Sequence, residues 1–169
     1  MANNLLKGKK GIIFGALDEK SIAWKTALKC HAQGAQIVLS NAPVALRMGE
    51  INKLAEAVKA PVIGADVTNM DDLKNLFEKS MEHFGGKIDF VLHSIGMSPN
   101  VRKNISYTDT NYDNFHKTLD ISALSEGRSR QTAPSRWGET QLPEARPRSP
   151  RRCGCGRQAD HRPYRPALR

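Results

Sequence analysis

An α/β fold, with parallel strands and helices on both faces, is predicted for the first 125 residues by three observations. Short apolar runs alternate with stretches of helical period. The apolar runs are continuous instead of alternating with polar residues, as in strands buried on both faces. The connections are short, with glycine, proline or capping residues at the element ends.

Taken in order, GKKGIIFG predicts a buried strand at about Lys10–Phe14. A helix should follow from Ser21 to about Gln33, with Ile22, Ala23, Ala27 and Cys30 at helical spacing and Gly34 as its stop. AQIVLS is a second strand, and Pro43 suits the first turn of a second helix running to about Lys59. PVIGADV is a third strand. TNMD at 68–71 reads as a capping box opening a helix whose apolar stripe is Leu73, Leu76, Phe77 and Phe84, stopped by Gly85-Gly86. KIDFVLHSIG is a fourth strand, and a further helix begins at Tyr112 and runs to about Ser125. Right-handed crossovers between such strands give a Rossmann-like doubly wound parallel sheet, truncated after about four strands.

Composition divides the chain at Ser125. Residues 1–125 carry 15 Lys and Arg against 13 acids, whereas 126–169 carry 11 Arg and no Lys against 4 acids, so most of the +9 charge belongs to the last 44 residues. All ten Ile and all ten Asn precede the break, and six Pro follow it. The sequence therefore predicts a dinucleotide-binding part at 1–125 and a disordered Arg/Pro-rich tail at 126–169. Three readings of that tail stand: an arm for nucleic acid or an acidic surface, a flexible extension, and a shifted reading frame. The simultaneous loss of Lys, Asn and Ile, whose codons are AT-rich, and gain of Arg, Pro, Gly and Ala, whose codons are GC-rich, favours the shifted frame, and nucleic-acid binding comes last. Hydrophobic residues make up 39% of the chain, low for a compact enzyme domain. No apolar run is long enough to span a membrane and the N-terminus lacks a signal-peptide pattern, which predicts a cytoplasmic protein. Three cysteines form no disulfide framework. Cys153, Cys155 and His161 fall short of a closed zinc site, and no metal is expected.

The stretch FGALDEKSIAWKTA at 14–27 raises the functional question. It lacks G-x-G-x-x-G spacing, yet Gly15 ends the first strand, where ligands bind in such sheets. Gly15 lets backbone approach a pyrophosphate, and Ser21 stands at the next helix start, where free N–H groups favour an anion. Equally, Gly15 can be a simple turn and Ser21 a simple cap.

Further motifs come in order: Asp66-Val67 after the third strand, His-Ser-Ile-Gly at 93–96 after the fourth, and Asp-Ile-Ser at 120–122. With G-x5-S-I-A at 15–23, the set resembles the NAD(P)H-dependent enoyl-acyl-carrier-protein reductases, a divergent branch of the short-chain dehydrogenase superfamily. The resemblance runs from about Leu6 to Ser125. It implies reduction of the enoyl double bond of acyl-carrier-protein thioesters in fatty acid synthesis. By position, it gives Gly15, Ser21 and Ile22 the cofactor's pyrophosphate and ribose side, and Asp66 and Val67 the adenine. It gives Ile95 and Gly96 the nicotinamide-side ribose, and Ser98 the entrance to the acyl site. Singly, Asp66 reads as well as a turn residue, Ile95 as core and Gly96 as a loop turn.

Departures matter as much. Asn41 and Ala42 stand where an acid often binds the adenine ribose. NADH and NADPH both remain open, and the lack of a cation before Arg47 favours NADH. The family's catalytic Tyr-x6-Lys is absent, since neither Tyr107, Tyr112 nor Tyr164 precedes a Lys at that spacing. No catalytic residue is therefore named, and the chain is expected to be inactive toward a crotonyl thioester. The resemblance also implies a homotetramer for the intact family, whose subunit-contact helices have no counterpart here. A half-sheet with an open edge predicts poor solubility. His93 reads as structural before catalytic. The rival readings are a nucleotide-binding module without catalysis, another short-chain dehydrogenase and an Arg-tail nucleic-acid binder.

Overall fold

The computed structural model describes residues 3–47 and 49–133. Four strands form one parallel sheet in the order β3-β2-β1-β4: β1 (Lys10–Phe14), β2 (Gln36–Asn41), β3 (Val62–Gly64) and β4 (Phe90–His93). Ile12 pairs with Val38 on one side and Val91 on the other, so β1 lies inside the sheet.

Side chains of a strand alternate between faces, and the core accordingly splits in two. Ile13, Ile37 and Leu39 pack with Trp24 and Ala27 of helix α1 (Ile22–Ala32) and with Ile51, Leu54 and Val58 of α3 (Glu50–Val58). Ile12, Phe14 and Val38 pack on the opposite face with Leu73, Leu76 and Phe77 of α4 (Met70–Phe84). Each of the buried Ile, Leu, Val and Phe side chains contributes about 1.5–3 kcal/mol to holding the layers together. The expected doubly wound arrangement is what forms.

Four local expectations change. The helix expected over 43–59 is two: α2 (Pro43–Leu46) and α3. Gly49 takes φ +76 between them and donates its N–H to the Leu46 carbonyl, a left-handed turn no continuous helix permits. The cap of α4 is Asn69, whose Oδ1 accepts from Asp71 N and Asp72 N, while the Thr68 hydroxyl turns back to Asp66. Ile22 is not on the buried face of α1; it is 74% exposed, and Trp24 takes the core place instead.

The fourth change concerns the boundary at 125. After α5 (Pro99–Lys103), helix α6 (Tyr112–Leu119) starts at an Asn111 cap and continues through a π-helical turn at 120–124 into α7 (Ser125–Thr132). Residues 126–132, expected in the irregular tail, are thus helical. Arg128 pairs with Asp120, Arg130 with Glu126 at 2.8 Å, and α7 packs beside α4. The first proline of the basic segment is Pro134, so nothing before it interrupts the helix. The rest of the basic segment, with Cys153, Cys155 and His161, lies outside the described residues. Among the described residues, no helix is long and apolar enough to cross a membrane.

Candidate functional site

All four strands end on the same side of the sheet, and the segments that follow them surround a cavity of about 380 Å³. Gly15 comes from the end of β1, Asn41 and Ala42 from β2, Ala65, Asp66 and Val67 from β3, and Ser94 to Met97 from β4. Leu17 of the first loop, Val44 and Ala45 of α2, Arg102 of α5 and Lys117 of α6, with Ile121 in the π turn, complete the lining.

Backbone contacts hold these ends together. Gly15 N–H donates to Ser40 O at 3.0 Å, and its φ is +88. A Cβ there would lie 2.0 Å from the Ser94 carbonyl oxygen, so β1 and β4 converge only because residue 15 has none. Asn41 ties the second strand to the first loop: its Nδ2 donates to Ala16 O at 3.2 Å. Ala65 N–H in turn donates to Asn41 O.

Asp66 is exposed, and its Oδ1 accepts from both Thr68 N at 2.9 Å and Thr68 Oγ1 at 2.7 Å. It is a turn residue; its Oδ2 takes part in neither bond. Val67 is buried at the cavity wall, and Ile95 is half-buried against the same core. Around Gly96 no atom lies within 4 Å of where a Cβ would be. The loop after β4 is fastened at Met97, whose N–H donates to Ser122 Oγ at 3.1 Å. The Asp-Ile-Ser motif at 120–122 thus supplies a wall residue, Ile121, and a tether, Ser122.

Six of the nine sequence-predicted residues (Gly15, Ala42, Asp66, Val67, Ile95 and Gly96) line this one cavity. Ser21, Ile22 and Ser98 do not. Ser21 caps α1: its hydroxyl donates to Asp18 O at 2.8 Å and accepts from Trp24 N at 3.3 Å. Ile22 is the first residue of α1, where backbone N–H groups have no intrahelical acceptor. Ser98 precedes α5 and makes no side-chain capping bond.

His93 is not among the residues that line the cavity. Its Nε2 is 2.9 Å from Ser125 Oγ, and that hydroxyl donates to Ile121 O at 2.6 Å. With the hydroxyl proton committed to Ile121, His93 Nε2 is the donor, so the pair is a packing contact rather than a nucleophile and its base. Burial pushes the His93 pKa down, opposed by the carboxylate of Glu126. The structural reading of His93 fits this geometry.

Sequence reasoning missed Leu17, Val44, Ala45, Arg102 and Lys117 as lining residues, and it singled out Ile121 only as part of a motif. One signal was available: Lys117 and Ile121 are four residues apart on one continuous helix, hence on one face. Chemically the cavity offers apolar walls for a flat ring (Ala65, Val67, Ile95 and Ile121), two cations and a carboxylate. Among the described residues, no three His, Cys, Asp or Glu side chains cluster as for a metal ion.

Residues 15–134 match the family model described as enoyl-(acyl carrier protein) reductase. The crystal structure of the FabI–NADH complex from Alistipes finegoldii is similar with a TM-score of 0.74 and 60% identity, covering 76% of this chain and 46% of that one. The enoyl-(acyl-carrier-protein) reductase from Anaplasma phagocytophilum in complex with NAD aligns with a TM-score of 0.67 at 30% identity, over 76% of this chain and 49% of that one. Among curated relatives, enoyl-[acyl-carrier-protein] reductase [NADH] 1 of Rhizobium meliloti (strain 1021) is 38% identical over 125 residues, which is 73% of this chain and 45% of the relative. The chain spans about half the length of the relatives it matches.

Proposed function

This chain belongs to the enoyl-(acyl carrier protein) reductase family, and we propose that its strand-end cavity binds NADH without turning over an enoyl thioester. The observation that carries the reading is the convergence of Gly15, Ala42, Asp66, Val67, Ile95 and Gly96, which come from the ends of all four strands, on one cavity. The residues fit the group. Val67 offers an apolar face to the adenine, the second oxygen of Asp66 can accept from its exocyclic amine, and Ile95 stands with Gly96 at the nicotinamide-side ribose. The open space at Gly96 leaves room for a ribose to approach the backbone. The unpaired N–H groups at the start of α1 and the Arg102 and Lys117 cations favour the pyrophosphate. Ser21 serves that site by fixing the helix start, its hydroxyl proton being given to Asp18 O, which leaves Ile22 N–H as the donor for phosphate. NADH is preferred to NADPH because no cation flanks Asn41 and Ala42 before Arg47.

When bound, the dinucleotide supplies a hydride for the β-carbon of an enoyl thioester, a proton then reaching the α-carbon. That step needs a donor aimed at the thioester oxygen, where negative charge develops. The family draws it from the Tyr-x6-Lys pair, and this sequence has none. The acyl-carrier-protein substrate, the entrance role of Ser98 and the four-subunit assembly therefore belong to the full-length relatives, and the activity of this chain stops at binding. A cytoplasmic location completes the reading.

Fluorescence titration with NADH and a crotonyl-thioester assay on the same preparation test it together. Saturable binding with no substrate-dependent NADH oxidation is the expected result. Absence of binding removes every cofactor role above, and turnover removes the claim of inactivity.

A further inference from the structure

The loop after β4 gives the cavity four consecutive residues, Ser94 to Met97, and none of them belongs to a helix or strand. Among the described residues, the backbone of Ile95, Gly96 and Met97 makes no hydrogen bond to another backbone group. One side chain holds it instead. Ser122 Oγ accepts from Met97 N–H at 3.1 Å and donates to Met97 O at 3.3 Å. A hydroxyl has one proton and spare lone pairs, so a single serine serves both polar groups of that residue. On the other side of the loop, the strand end is fixed by Ser125, whose Oγ is 2.9 Å from His93 Nε2. Ser122 lies in the π-helical turn at 120–124, and Ser125 directly follows it. Such turns are rare and are frequent at functional sites. Here the turn and the residue after it fasten the loop at both ends, and Ile121 of the same turn lines the cavity.

We propose that Ser122 is a positioning residue for the nicotinamide half of the dinucleotide, acting through the Met97 backbone. This role rests on the NADH reading above. Gly96, the residue before Met97, borders the open space assigned to the nicotinamide-side ribose, so whatever fixes Met97 also fixes that approach. The adenine half is assigned to Asp66 and Val67 after β3, and the Asp66 carboxylate is anchored locally, by Thr68. Removing the Ser122 hydroxyl therefore loosens one half of the site and not the other. Ser122 is exposed, so its loss leaves no buried polar group without a partner, and the effect falls on loop order more than on stability. A loop that samples other arrangements binds more weakly, because only the competent fraction accepts ligand. Exposure also leaves room for a methyl beside the hydroxyl, so threonine can make the same two bonds.

Titration of the full chain with NADH and with ADP, which lacks the nicotinamide riboside, tests this role. Ser122→Ala should weaken NADH binding by about fivefold, the order of one hydrogen bond's net worth, and leave ADP affinity as it was. Ser122→Thr should restore NADH affinity. In the unaltered chain, exchange of the Met97 amide should slow when NADH binds and not when ADP does, a readout that holds even if Ser122→Ala does not fold. Undiminished NADH affinity in Ser122→Ala overturns the positioning role and leaves the cofactor reading standing. Equal losses for NADH and ADP, a threonine variant no better than alanine, or a Met97 amide indifferent to NADH do the same. Failure of the unaltered chain to bind either ligand removes the cofactor reading itself, and this role with it.

Discussion

The turn after β1 and the turn after β4 lie side by side at one cavity, and each carries a glycine from a sequence motif. They are held differently. The first is locked by backbone: Gly15 donates to Ser40 O, and a Cβ would lie 2.0 Å from Ser94 O. The second is fastened by side chains from far along the sequence, Ser122 at Met97 and Ser125 at His93, while the space around Gly96 is empty. One glycine is demanded by the protein itself, and the other leaves room for something else. A motif glycine therefore does not identify a ligand contact until its surroundings are known.

The largest expected effect is at the locked turn. Gly15→Ala must move the Ser94 carbonyl and hold alanine at φ +88, and strain plus overpacking of this kind costs about 3 kcal/mol. Urea unfolding should show a correspondingly lower midpoint. A midpoint unchanged within error would mean that the two turns are not as closely packed as their backbone contact indicates.

At the tethered turn, Ser125→Ala leaves the half-buried His93 Nε2 without its partner, a loss of about 1–3 kcal/mol. The same pair gives a pH dependence whose sign follows from burial. His93 titrates below its ordinary value of 6.5, so just below that pH the unfolded chain binds more protons than the folded one. Stability is therefore full above the unfolded value and falls as the pH drops through 6.5 toward the lower folded value. Thermal midpoints between neutral and mildly acid pH check this, and His93→Gln should flatten the slope in that window.

Ser21→Ala separates the two readings of the serine. Loss of the cap on α1 should cost about 1 kcal/mol of stability. If Ser21 acts only through the helix start, NADH affinity measured well below the melting range should change less than twofold.

Much of this contrast could not be read in the sequence. The four strands and the doubly wound order were legible because buried parallel strands are continuously apolar and helices carry their own period. The strand-end residues of the site were legible because ligands gather where such strands end. Ser122 at Met97 was not, since a contact across 25 residues leaves no local pattern. Arg102 and Lys117 are exposed cations with no motif, placed only by how α5 and α6 fold over the cavity. The split at Gly49 was hidden because a glycine inside an apolar period resembles a tolerated interruption. Residues 126–132 were misjudged because composition was averaged over a segment whose prolines all lie at or beyond 134.

The smallest effect on stability belongs to Gly96, and it sharpens the comparison most. With nothing within 4 Å, Gly96→Ala should shift the unfolding free energy by no more than about 0.5 kcal/mol. If the emptiness is room for the cofactor ribose, the added methyl should nevertheless weaken NADH binding by about tenfold, equivalent to about 1.4 kcal/mol. Gly15→Ala would then lose stability first, and Gly96→Ala affinity alone. Titration and unfolding of both variants compare the two turns directly. Unchanged affinity in Gly96→Ala would place the dinucleotide away from the β4 turn, leaving Gly96 with no role beyond the loop.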